Sequence, residues 1–233
     1  MRCIAIIPAR GGSKRIPRKN IMDFSGKPMI EWTIEAALKS KCFDHVLVST
    51  DSKEISEISI AAGASVPFLR LQNADDKTPS SIATISALRQ SENYWDTRFD
   101  CVAQLMPNCP LRDADHIQAA MDNFVTQDIS YQISCFQFGW MNPWWAVKLD
   151  EEMVPTDLFP EAKSVRSQDL ERLYCPTGAI WIAGRDALLK AGTFYGPGHR
   201  YFPIDQVGAV DIDDMEDYLM AMALERMRKK VFA

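Results

Sequence analysis

The chain has 233 residues, 47% hydrophobic and 24% charged, with a formal net charge of −5 and a pI near 5.3. This suits one large α/β domain. The acidic balance disfavours a nucleic-acid coat, and no apolar run reaches membrane-spanning length.

Short apolar runs alternate with helical patterns along the chain. The first, Cys3–Pro8, is expected as the opening strand of a cytoplasmic protein. It is too short, and too quickly followed by charge, for a signal peptide. Pro28–Lys39 follows as a helix with Pro28 at its first turn, then a strand at His45–Ser49 and a helix at Lys53–Ala62 that Gly63 stops. Ser80–Tyr94 is a helix, Phe99–Leu105 a strand, Ala114–Thr126 a helix and Ile129–Phe136 a strand. Ala179–Ile182 is the last strand, with helices at Arg185–Ala191 and Met215–Lys230. This alternation predicts an α/β fold with a mostly parallel central sheet flanked by helices. Sites in such sheets form at the carboxyl ends of strands. The whole chain, 1–233, is expected as a single domain. Residues 137–176 break the rhythm with Trp140, Trp144, Trp145 and several prolines. They are either a buried segment or, the preferred reading, an excursion that meets a second subunit or covers substrate.

Ala9-Arg10-Gly11-Gly12-Ser13-Lys14-Arg15-Ile16-Pro17-Arg18-Lys19-Asn20 follows the first strand. Glycines let backbone N–H groups approach an anion, and the five cations suit a triphosphate; a solvated basic turn is the plainer alternative. The spacing matches neither a Walker P-loop nor GxGxxG. Ser80 and Ser81 either cap the following helix or sit at an anion or ribose site. Gln104 ends a strand, where it can make directed hydrogen bonds. Arg112, beyond two prolines, is either a carboxylate or phosphate fork or a surface arginine. Asp211 and Asp213 lie two apart on an extended segment, so both face one side. Beside phosphates they suit Mg²⁺; alternatively Asp213 or Asp214 caps the last helix. Six cysteines without a CxxC pair are expected as structural thiols, and three scattered histidines form no zinc motif.

In their shared order these segments, with Val48-Ser49-Thr50-Asp51 and Gly178-Ala179-Ile180, resemble the acylneuraminate cytidylyltransferases, or CMP-sialic acid synthetases, from Cys3 to about Leu224. The resemblance implies a Rossmann-like fold of the nucleotide-diphospho-sugar transferase type. It implies transfer of CMP from CTP to the 2-hydroxyl of a sialic-acid-like nonulosonic acid, with pyrophosphate released. The nucleotide set it implies is Ala9, Arg10, Gly11, Gly12, Ser13, Lys14, Lys19, Asn20, Ser80 and Ser81, with Arg10, Lys14 and Asp211 catalytic. Asp211 and Asp213 would hold Mg²⁺ or another divalent cation such as Mn²⁺. Gln104, Arg166, Thr177, Trp181, Phe194 and Tyr195 match sugar-facing positions, the last pair reaching a neighbouring subunit in a homodimer. Relatives acting on N-acetylneuraminate tend to read Arg-Pro-Asn-Gly-Ala-Ile-Tyr where this chain reads Cys175-Pro176-Thr177-Gly178-Ala179-Ile180-Trp181. They also often carry a lysine soon after the proline equivalent to Pro143, where this chain has Trp144 and Trp145. These departures lead us to expect a legionaminic-, pseudaminic- or other nonulosonic acid with a less polar substituent. A related nucleotidyltransferase using 3-deoxy-octulosonate or a sugar 1-phosphate is the alternative, and a noncatalytic binding module is disfavoured by the paired aspartates.

Overall fold

A computed structural model describes residues 1–71 and 78–231. In chain order the strands are β1 (Cys3–Pro8), β2 (Asp23–Phe24), β3 (Lys27–Pro28), β4 (His45–Ser49), β5 (Cys101–Gln104), β6 (Tyr131–Gln137), β7 (Val147–Leu149), β8 (Pro155–Asp157), β9 (Tyr174–Gly184) and β10 (Arg200–Pro203). The helices are α1 (Met29–Ser40), α2 (Lys53–Ala61), α3 (Ser80–Trp95), α4 (Ala114–Thr126), α5 (Arg185–Ala191) and α6 (Met215–Val231). Six strands form the central sheet in the order β10-β6-β9-β5-β1-β4. β1 pairs in parallel with β4 and β5, and β6 with β10, while β9 runs antiparallel to both β5 and β6.

Every residue of β1 is buried, as a central strand covered on both faces requires. Side chains alternate between the two faces. Ala5, Ile7, Val46, Val48, Ala103 and Ile180 pack with Ile30 and Ile34 of α1 and with Ile117, Met121 and Phe124 of α4. Ile4, Ile6, Leu47, Val102 and Ile133 pack on the other side with Ile85 and Leu88 of α3 and Leu188 of α5. A third cluster joins Ile16, Phe24, Met29 and Leu111 to Val210, Ile212 and Ala221. Phe24 meets Trp32 and Tyr218 edge to face, and the Tyr218 hydroxyl donates to the Asp23 carbonyl at 3.0 Å. This third cluster brings the amino-terminal loop and the carboxy-terminal acidic segment together across nearly the whole sequence.

The sheet is mostly parallel, as expected, with β9 the reversed strand. Other expectations are corrected. β9 is longer than the expected Ala179–Ile182: Pro176 and Gly178 interrupt its sequence pattern, and the pairing with β6 shifts register between Ile133 and Cys135. Edge strand β10 was not expected; its exposed face leaves no apolar pattern to read. The serines do not cap α3: Pro79 precedes it and no side-chain cap bond forms. Pro28 likewise lies just before α1, at its cap position. Gly63 does end its helix, at φ +96°, where a side chain would be strained. Cys3 and Cys101, register partners on β1 and β5, are joined as a disulfide with Cα atoms 4.8 Å apart, where thiols were expected. Residues 137–176 are not a buried segment. They carry the small β7–β8 hairpin, and Trp140 is 82% exposed. Arg112 is not a surface arginine: it is fully buried and donates to Thr33 Oγ1 at 2.6 Å.

Candidate active site

Beyond β1 the chain turns at the carboxyl edge of the sheet. The Ala9 N–H donates to the Ser49 carbonyl at 2.9 Å, holding the turn against the end of β4. The Gly11 N–H donates to Asp51 Oδ1 at 2.7 Å. A Cβ on Gly11 would lie 3.1 Å from that of Ser52, so a side chain there would press on the start of α2. Asn20, buried, donates Nδ2 to the Arg10 carbonyl at 2.9 Å and closes the loop on itself. Arg18 adopts φ +57° and pairs with Glu54 of α2.

The far end of this loop grips the acidic segment. Lys19 Nζ donates to the Ile212 carbonyl at 2.7 Å and to Asp213 Oδ1 at 3.0 Å. Arg15 lies 2.8 Å from Asp213 Oδ2. Asp214 caps α6, accepting the N–H groups of Glu216 and Asp217 at 2.9 and 3.0 Å. Asp211 and Asp213 are therefore not consumed by the helix cap. Asn108, after β5, donates Nδ2 to Asp211 Oδ1 and to the Ile212 carbonyl, the latter at 3.1 Å, while its own Oδ1 is buried without a partner. Gly178 of β9 abuts the same carboxylate; a Cβ there would stand 3.3 Å from Asp211 Oδ2.

Together these walls enclose a cleft of about 530 Å³ lined by Pro8, Arg10, Ser13, Lys14, Arg15, Lys19, Asn20, Arg70, Thr78, Ser80, Ala83, Met106, Pro107, Asn108 and Asp213. Its electrostatics oppose cations to two carboxylates. Burial, then the neighbouring charge of Asp213, raises the Asp211 carboxyl from 3.8 to about 6. Burial also acts upward on Asp213, but bonds from Lys19 and Arg15 outweigh it and hold that carboxyl below its ordinary value. Burial lowers the Arg70 guanidinium, which is 5% exposed and has an unpartnered Nε.

The structure thus gathers Arg10, Ser13, Lys14, Lys19, Asn20, Ser80 and Asp213 around one space. Ala9, Gly11 and Gly12 supply its loop, and Asp211 stands behind Asn108. Ser81 is buried in the core rather than in the cleft. Gln104 is also fully buried, accepting from Thr84 Oγ1 at 2.7 Å and donating to Ser80 Oγ at 3.1 Å; its amide is committed to orienting Ser80. The sugar-facing set does not line the cleft. Thr177 donates Oγ1 to the Ala209 carbonyl at 2.9 Å, and Trp181 donates its indole N–H to the Thr177 carbonyl at 2.8 Å. Phe194 is wholly buried against Trp181 and has no surface to offer a sugar, which corrects its expected role. Tyr195 is partly exposed and packs edge to face on Trp181. Arg166 sits in the excursion, paired with Asp169 at 2.6 Å. Arg70 has no sequence signal, because it lies in no glycine-, proline- or charge-patterned motif. Arg15, Thr78 and Asn108 lie inside the motifs of the amino-terminal loop, the Thr78-Pro79-Ser80-Ser81 segment and the turn after β5, where pattern alone does not pick them out.

Among the described residues no three His, Cys, Asp or Glu side chains gather into a metal cage. Mg²⁺ needs none when substrate phosphates and water complete its shell. Two neighbouring carboxylates, one raised to about 6 by burial and then by the other's charge and so mostly ionised at neutrality, fit such an ion.

A family model described as "Cytidylyltransferase" matches residues 4–231. The chain is 35% identical over 231 residues to a pseudaminic acid cytidylyltransferase of Campylobacter jejuni, covering 97% of each chain. It is 33% identical over 241 residues to the CMP-N,N'-diacetyllegionaminic acid synthase of Legionella pneumophila, covering 99% of each. Among solved structures it superposes on a CMP:2-keto-3-deoxy-manno-octonic acid synthetase complexed with CTP, with a TM-score of 0.72 at 18% identity over 98% of this chain and 100% of that one. That likeness is one of fold.

Proposed function

The chain belongs to the cytidylyltransferase family, and from that premise we propose that it transfers CMP from CTP to the 2-hydroxyl of a nonulosonic acid. The observation that carries the proposal is the grip of Lys19 on Ile212 and Asp213, which sets the cationic glycine loop against Asp213 in one cleft, with Asp211 directly behind Asn108 of its wall. A polyphosphate laid there meets Arg10 and Lys14 on one side and the carboxylates on the other. The sugar hydroxyl attacks the α-phosphorus and the bond to pyrophosphate breaks. Alignment and charge stabilisation do most of the work in such a transfer. Arg10 and Lys14 neutralise the phosphoryl oxygens and the leaving pyrophosphate. Asn20 and Asp51 hold the loop that carries them. Ser80, oriented by Gln104, and the buried Arg70 bound the side of the cleft where the ribose and base lie.

Asp211 and Asp213 would hold Mg²⁺ or Mn²⁺. Bound there, the ion supplies Lewis-acid charge to phosphate oxygens. We assign residues 1–233 to one nucleotidyltransferase domain. Residues 137–176 are its docking lobe for a second copy, where Trp140, Met141 and Leu149 present exposed apolar surface.

For the sugar we favour a pseudaminic- or legionaminic-type acid over N-acetylneuraminate. Thr177 and Trp181 replace more polar residues of N-acetylneuraminate relatives, and the two full-length relatives above carry those names. Titration calorimetry with CTP, followed by pyrophosphate release across a panel of sugar acids, tests this. Fastest turnover with N-acetylneuraminate or an eight-carbon acid would overturn the choice of sugar.

A further inference from the structure

The segment bearing the two aspartates is anchored, before it reaches them, by an ion cluster outside the cleft. Asp113 caps α4 and accepts the His116 backbone N–H at 3.1 Å. The His116 imidazole is held between two carboxylates. Its Nδ1 lies 2.6 Å from Asp113 Oδ1, and its Nε2 contacts Asp205 Oδ2. Arg228 of α6 backs the cluster, donating Nη2 to Asp113 Oδ2 at 2.6 Å and Nη1 to the Leu111 carbonyl at 2.8 Å. The other Asp205 oxygen accepts the N–H groups of Val207 and Gly208, both at 2.9 Å. Backbone bonds from Ala209 to Asp205 and from Val210 to Val207 complete the turn. Asp211 is the next residue. The imidazole is seated directly on Gly208, where a Cβ would lie 2.7 Å from the ring.

We propose that His116 is a positioning residue for the divalent cation: as an imidazolium it ties the 205–210 turn to the start of α4 and thereby sets where Asp211 and Asp213 stand. This rests on the metal reading given above. The Asp113 N–H also approaches Nδ1, at 3.3 Å, but the carboxylate Oδ1 lies closer, at 2.6 Å, so the nearer contact on each nitrogen is a carboxylate and calls for a proton there. The charged groups facing the ring are Asp113 from the α4 cap and Asp205 from the turn, with Arg228 of α6 behind Asp113. The bond to Asp113, joined by that to Asp205, outweighs burial and raises the imidazole above its ordinary 6.5. Deprotonation leaves one N–H for two carboxylates, and the turn loosens.

The test measures Mn²⁺ binding by electron paramagnetic resonance in the presence of CTP, from pH 6.5 to 9, on the wild type, His116→Gln and Asp205→Asn. Imidazole titration is followed by proton NMR. Glutamine at this third helical position can accept the Asp113 N–H, and Asp113 still accepts the backbone N–H of residue 116, so His116→Gln keeps the α4 cap while removing the charge. In the wild type, Mn²⁺ affinity should fall as His116 titrates. Both variants should bind Mn²⁺ about tenfold more weakly at pH 7 and lack that alkaline limb. Under turnover the Mg²⁺ requirement should rise in His116→Gln, with kcat at saturating metal within about twofold of wild type. Wild-type Mn²⁺ affinity and an unchanged alkaline limb in folded His116→Gln overturn the proposal. Mn²⁺ binding indifferent to Asp211→Asn overturns the metal reading and the proposal together. Absence of pyrophosphate release with every sugar acid, while Mn²⁺ still tracks His116, overturns only the choice of reaction and leaves His116 in its role.

Discussion

Asp211→Asn should stabilise the metal-free protein while removing its activity. Burial and the Asp213 charge hold the Asp211 carboxyl at about 6 in the folded chain, against an ordinary 3.8. The folded state therefore binds this proton more tightly than the unfolded state does, and stability is lost as pH rises from about 3.8 to about 6. At about 1.4 kcal/mol for each tenfold, the deficit above pH 7 is about 3 kcal/mol. Asparagine keeps the volume and the Oδ1 that accepts the Asn108 hydrogen bond, and it carries no charge. In EDTA at pH 8 the variant should melt roughly 6 to 10 °C above the wild type, as expected for a domain of this size. At pH 3.5 the two should melt together. Calorimetry across this range, paired with a pyrophosphate-release assay with and without Mg²⁺, checks both halves. A variant less stable than wild type at pH 8, or one whose advantage does not change with pH, would refute the reasoning. So would full Mg²⁺-dependent turnover.

Other outcomes follow from the same geometry. Lys14→Ala, at an exposed site, should lower kcat/KM by about 10²- to 10³-fold with an unchanged melting temperature, read by steady-state kinetics and calorimetry. Lys19→Met removes a cation that draws the Asp211 carboxyl downward, so the acidic limb of the pH–rate profile should move to higher pH; an unmoved limb counts against Asp211 as the titrating group. Arg70→Met should weaken CTP binding about tenfold by calorimetry without loss of stability, because the buried guanidinium it replaces has an unpartnered Nε. The wild type should sediment as a dimer, and Trp140→Glu combined with Leu149→Glu as a monomer.

Much of the frame was legible because a buried parallel strand leaves a plain trace. Cys3–Pro8 and His45–Ser49 are uninterrupted runs that carry their loops to one edge. Asp211 and Asp213 could be matched to the loop by their chemistry and by resemblance but not by any local pattern, since the contact that joins them, Lys19 to Asp213, spans nearly the whole chain. Arg70 was invisible for a similar reason: its place in the cleft depends on its N–H meeting the Thr50 carbonyl, a tertiary bond without local pattern. Gln104 and Phe194 show the opposite failure. Both have the chemistry of contact residues, yet one is held by Thr84 and Ser80 and the other is sealed against Trp181. Motif position gave their neighbourhood and could not give their exposure.

The reversed run of β9 has an architectural outcome. A strand laid against the grain enters the sheet at the margin where its neighbours leave it, so the end of β6 and the start of β9 stand side by side. The bond from the Phe138 N–H to the Leu173 carbonyl draws the intervening 35 or so residues into a pouch with a single narrow mouth. Such a pouch can be swapped, lengthened or re-tailored as a cassette without disturbing the layers beneath. Two sugar specificities could thus share an identical phosphate-handling chassis and differ only in what hangs from its rim.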